Sequence, residues 1–75
     1  MDIRQLEYFR KIAETGSISE AARQLHLSQP PLSYQLRGLE EELGVQLVAR
    51  SRQGVSLTEA GKLLYQRAGE LLRFA

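Results

Sequence analysis

Seventy-five residues, 43% of them hydrophobic and 25% charged, suit one small soluble domain rather than a disordered tail. There is no cysteine, and His26 is the only histidine, which excludes a disulfide framework, a thiolate metal site and a multi-histidine metal centre. The net charge is +1, no apolar run approaches the roughly 18 residues of a membrane span, and no signal-peptide pattern opens the chain. The expected address is therefore the cytoplasm, with no membrane partner, and so short a chain has little room for a substrate pocket.

The first predicted helix runs from about Ile3 to Thr15. Its apolar positions, Ile3, Leu6, Phe9, Ile12 and Ala13, recur at helical spacing, with Asp2 as cap and Gly16 as a left-handed stop. Ser17-Ile18-Ser19-Glu20 then reads as a capping box in which Glu20 reaches back to the cap. Ile18, Ala21, Ala22 and Leu25 form the buried stripe of this second helix, which ends near Gln24 to His26. A third helix starts at Ser28-Gln29-Pro30-Pro31, where proline is tolerated because its missing N–H has no helical partner. It carries Leu32, Leu36, Leu39 and Leu43 inward and stops at Gly44. Two short helices joined through His26 and Leu27 describe a helix-turn-helix.

Gln46 to Arg50 and Val55 to Leu57 are short runs with β-branched content around the turn-forming Ser51-Arg52-Gln53-Gly54. They predict a two-stranded hairpin, a wing. Thr58 caps a last helix running to the chain end. Its apolar arc, including Leu63, Leu64, Ala68, Leu71, Leu72, Phe74 and Ala75, is wider than one domain needs. The arc is covered by another part of the chain or by a second chain. The pattern stops without a helix-ending signal, as in a fragment of a longer protein.

With its leucines inward, the third helix presents Pro30, Ser33, Tyr34 and Arg37 on the opposite face, and Gln29 at its tip. There is no carboxylate before Glu40. One cation among hydrogen-bonding groups fits a helix whose first half enters the DNA major groove. If Ser28 is the cap, its usual partners belong to Pro30 and Pro31, which have no N–H, so its hydroxyl is free for a phosphate. If Gln29 caps instead, that argument weakens. Ordinary readings stand beside these: Gln29, Ser33 and Tyr34 as plain surface, Arg37 paired with Glu41, and Arg50 and Arg52 as protection of a sheet edge.

The motifs Leu6-Glu7-Tyr8-Phe9, Gly16 to Ala22, Leu25 to Ser33, Leu39 to Gly44, Leu47, Arg50, Gly54 and Leu57 to Gly61 resemble the N-terminal DNA-binding domain of LysR-type transcriptional regulators. The resemblance covers the whole chain. It implies a mainly α fold: a winged helix-turn-helix over residues 1–58, with a three-helix core and a short wing, then a linker helix over 59–75. It further implies an antiparallel homodimer through the linker helices and an interrupted palindromic operator. A C-terminal domain, absent from this chain, would bind a small-molecule inducer and support tetramers. Family positions matching Gln29, Pro30 and Ser33 approach bases, and those matching Ser28 and Arg50 lie near the backbone. Two positions depart from the pattern: Tyr34 stands where relatives often carry arginine, and Gln53 where many have a wing arginine.

Together these readings set Gln29, Pro30, Ser33, Tyr34 and Arg37 to base edges and Ser17, Ser28, Pro31, Arg50, Arg52 and Gln53 to the DNA backbone. Leu63, Leu64, Ala68, Leu71, Leu72 and Ala75 are set to dimerisation. The expected activity is sequence-specific binding of double-stranded DNA by a nucleoid-associated regulator, without catalysis, metal or cofactor. A protein-interaction module using the last helix is the alternative. A small enzyme is more remote, because no nucleophile, base and orienting group fall together.

Overall fold

The computed structural model of the chain describes residues 1–73. The elements follow the order α1 (Ile3–Thr15), α2 (Ile18–Leu25), α3 (Gln29–Leu43), β1 (Val48–Ser51), β2 (Gly54–Leu57) and α4 (Glu59–Arg73). The expectations on Phe74 and Ala75 lie outside the described residues.

Local chemistry starts and stops each helix. The Asp2 carboxylate accepts from the Gln5 amide at 2.7 Å, and the Gln5 side chain accepts from the Asp2 amide at 3.2 Å, so the full capping box belongs to α1. At α2 only half of the expected box forms. Ser17 Oγ accepts from the Glu20 amide at 3.1 Å, but the Glu20 carboxylate turns to Arg23 Nε, 2.9 Å away, rather than back to the cap. That hydrogen bond is the main reason the Glu20 carboxyl sits below its ordinary pKa. The turn into α3 needs a left-handed residue, and His26 supplies it at φ 59°.

The core lies where α1, α2 and α3 meet the root of the wing. Phe9, Ile12, Leu32, Leu39 and Leu47 are its largest fully buried side chains, each worth about 1.5–3 kcal/mol of burial. Ala21 and Ala22 are buried between them, small enough for the helices to approach closely. The leucine stripe is corrected at one position. Leu43 is 39% exposed, because the last turn of α3 runs past the buried Leu32, Leu36 and Leu39 toward the Gly44 reversal. Ile3, at the first position of α1, is likewise half exposed, the burial on that helix beginning at Leu6.

β1 and β2 pair antiparallel, Val48 with Leu57, Ala49 with Ser56, Arg50 with Val55 and Ser51 with Gly54. The first strand begins at Val48 rather than Gln46, since the Leu47 amide and carbonyl are taken by Glu40 and Thr58 instead of a β partner. The strands reach Ser51 and Gly54, leaving Arg52 and Gln53 as the turn. Thr58 caps α4, accepting from the Gly61 amide at 3.0 Å.

α4 lies against α1 and β2. Arg10 of α1 stands over the Tyr65 ring, 5.4 Å from its centroid. Ala68 has no accessible surface, so it fills the seam within the chain and offers nothing to a second one, which corrects its place among the dimerisation residues. Leu64 is half-buried against the core, and Leu72 is half-buried as well. The outward side of α4 carries Leu63, 57% exposed, and Leu71, 53% exposed.

Candidate nucleic-acid interface

The N-terminal tip of α3 is built from residues that cannot satisfy one another. Ser28 holds the cap position with extended backbone, yet its hydroxyl makes no capping hydrogen bond. The reason is covalent: two of the three residues that follow Gln29's neighbour at the cap are Pro30 and Pro31, which have no N–H to donate. The free hydroxyl stands beside exposed Gln29, Pro30 and Pro31, at the positive end of a helix of 15 residues. One turn on, Ser33 is half-buried, while Tyr34, 74% exposed, and Arg37 face solvent opposite Leu32 and Leu36. The face from Gln29 to Leu39 has no carboxylate.

The wing brings a second cation to the same side. Arg37 and Arg50 line one open depression of about 590 Å³, with Glu40, Gln46, Val48 and Ala49 completing its wall. Strand alternation places Arg50 on the face of Val48, but at the outer, exposed end of it. Arg52 and Gln53 lie exposed at the hairpin tip, where the Gln53 amide donates to Ser51 Oγ at 3.2 Å. Among the described residues, no carboxylate lies within ion-pair distance of Arg37, Arg50 or Arg52, whereas Arg23 is paired with Glu20. The Arg37–Glu41 pair weighed from the sequence does not form among them. Ser17 is half-buried at the start of α2, with its oxygen 3.0 Å from Ser19 Oγ.

One residue at this site escaped sequence reasoning. Glu40 belongs to the acidic run Glu40-Glu41-Glu42, read as the end of the helix where it leaves a groove. In the structure its Oε2 accepts from the Leu47 amide at 2.7 Å and lies 3.4 Å from the Val48 amide. Nothing in the run distinguishes the first glutamate from its neighbours. The only available signal is that it lies one turn before Gly44 reverses the chain, so that the following segment passes beside it.

Residues 3–62 match the family described as bacterial regulatory helix-turn-helix protein, lysR family. The chain belongs to the LysR family. It is 49% identical over 73 residues to the nitrogen assimilation regulatory protein nac of Klebsiella aerogenes, covering 97% of this chain and 24% of that protein. It is 50% identical over 72 residues to the HTH-type transcriptional regulator ClcR of Pseudomonas putida, covering 96% of this chain and 24% of the relative. It thus spans about a quarter of the curated relatives it matches. Its fold superposes on the CbnR DNA-binding domain solved in complex with DNA, with TM-score 0.95 and 44% identity over 99% of this chain and 85% of that one. The BenM DNA-binding domain in complex with catB site 1 DNA gives 0.93 and 45%, over 97% and 82%. The 75 residues are therefore a LysR-type DNA-binding domain, and the winged helix-turn-helix expected from the motifs is the fold found.

Proposed function

We propose that this LysR-family domain binds double-stranded DNA sequence-specifically as a homodimer and thereby regulates transcription in the cytoplasm. The first half of α3 enters the major groove, with Gln29, Pro30, Ser33, Tyr34 and Arg37 toward base edges. Ser28, Pro31, Ser17 and the wing residues Arg50, Arg52 and Gln53 hold the backbone or the adjacent minor groove. The observation that carries this reading is the α3 tip: a cap hydroxyl with no internal partner beside exposed Gln29 and two prolines, on a face without acids. The DNA complexes of the CbnR and BenM domains support it.

The dimer forms through the outward stripe of α4, Leu63 and Leu71, joined by the half-buried Leu64 and Leu72. Two-fold symmetry then asks for two half-sites, hence an interrupted palindrome. An inducer acts through a C-terminal domain of the family type, which also supports tetramers, and the domain itself performs no chemistry.

Selection of bound duplexes from a random pool tests the proposal. A palindromic consensus is expected, with affinity that falls steeply as salt rises. Recovery of a pool with no shared sequence would remove the claim of specific readout, and no retention at low salt would remove DNA binding altogether.

A further inference from the structure

We propose that Glu40 is a positioning residue for DNA binding, one that ties the end of α3 to the root of the wing and so sets where Arg50 meets the duplex relative to Arg37. The inference rests on the reading of Arg50 as a backbone contact. Glu40 is out of place on charge grounds alone: it lines the depression that holds both arginines, on the side proposed to face phosphates. A carboxylate there repels a phosphate and adds nothing to affinity by its charge, so its contribution must come from what it holds in place. It is engaged, through Oε2, with the amides of Leu47 and Val48.

The same short segment is gripped from its other side by α4. Thr58 Oγ1 donates to the Gln46 carbonyl at 2.7 Å, and the Thr58 amide donates to the Leu47 carbonyl at 3.0 Å. Gly61 lets the helix come this close, since a Cβ there would stand 2.0 Å from the Leu47 oxygen. The segment 46–48 is therefore clamped, with the Leu47 and Val48 N–H groups on Glu40 and the Gln46 and Leu47 carbonyls on Thr58. Arg37 precedes Glu40 by less than one helical turn, and Arg50 follows Val48 by two residues, roughly 7 Å of strand. The path between the two arginines is short and passes through the carboxylate. Without that acceptor the amides turn to water, and the root of β1 keeps only its hydrogen bonds to Thr58, while β2 stays tied to the Gly16 carbonyl through Val55.

The test compares Glu40→Ala, Glu40→Asp, Glu40→Gln, Arg50→Ala and the double variant Glu40→Ala/Arg50→Ala on a duplex selected by the parent chain. Thermal unfolding first establishes that each is folded at the assay temperature. Glu40→Ala should weaken binding about fivefold, the order of one lost contact. It should lose hydroxyl-radical protection under the wing but not under α3, and its salt slope should fall by about one, as for Arg50→Ala. The double variant should bind no more weakly than Arg50→Ala. Glu40→Gln keeps an acceptor and should restore the wing footprint. Glu40→Asp keeps the charge but falls short by one methylene, and should lose that footprint even if the alanine variant fails to fold. Parent-like or tighter binding by the alanine and aspartate variants, or additive losses in the double variant, would overturn the role of Glu40 while leaving the wing contact intact. An Arg50→Ala chain that binds and footprints like the parent would remove the wing contact itself, and this proposal with it.

Discussion

The carbonyl of Gly16 accepts a hydrogen bond from the amide of Val55, 2.9 Å away, and so fastens the wing to the end of α1. The contact is possible because the residue before Val55 is Gly54, at φ 127°, where a Cβ would lie 2.4 Å from the Gly16 oxygen. Gly54→Ala combines an unfavourable backbone conformation with a clash against backbone. It should lower stability by about 1–3 kcal/mol, checked by equilibrium urea denaturation. A denaturation midpoint equal to the parent's would show that the wing is not held here.

The two serine caps should respond differently to the same substitution. Ser17 caps the Glu20 amide, so Ser17→Ala should cost about 1 kcal/mol of stability. Ser28 makes no capping hydrogen bond, so Ser28→Ala should change stability by less than about 0.5 kcal/mol yet weaken binding to the selected duplex. Denaturation and binding titrations on both variants separate the two roles; equal stability losses would contradict the free hydroxyl at Ser28.

Gln29 tests readout rather than affinity. Gln29→Ala should relax the preference at one position of the half-site, with a loss of about 1–3 kcal/mol on the selected duplex and little change on unrelated DNA. Repeating the selection with the variant measures this directly. An unchanged consensus would take Gln29 out of base recognition.

On α4 the outward and inward apolar residues should part company. Leu71 is exposed, so Leu71→Asp should leave the fold intact while weakening self-association at least about tenfold by sedimentation equilibrium, because the carboxylate would enter an apolar seam. Ala68 is enclosed within the chain, so Ala68→Leu should act on folding instead, lowering the thermal midpoint through overpacking. A Leu71→Asp chain with unaltered association would place the dimer seam elsewhere.

In the core, Leu39 is fully enclosed. Leu39→Ala should cost about 2–5 kcal/mol, a large share of what so small a domain has, and leave the chain partly unfolded by circular dichroism at room temperature.

Much of this molecule was legible from residues close together in the chain. The recurrence of Leu32, Leu36 and Leu39 made α3 and its inward face readable. Pro30 and Pro31 showed that Ser28, if it was the cap, would lack its usual partners, and the structure makes it the cap. Ser51 to Gly54 marked the hairpin turn, and the ordered motifs identified the family. Helical period, capping and turn chemistry all act over a few residues, so they are written locally. The contacts that join elements are not. Glu40 finds Leu47 and Val48 only after Gly44 has reversed the chain. Gly16 meets Val55 across 39 positions. Arg37 and Arg50 share a groove only once the wing has docked. Ala68 looked as available to a partner as Leu71, because both lie on one broad apolar arc. Which side of that arc is buried depends on how α4 docks, with Gly61 close against Leu47 at the root of the wing and Tyr65 under Arg10 of α1, and no local pattern records that docking.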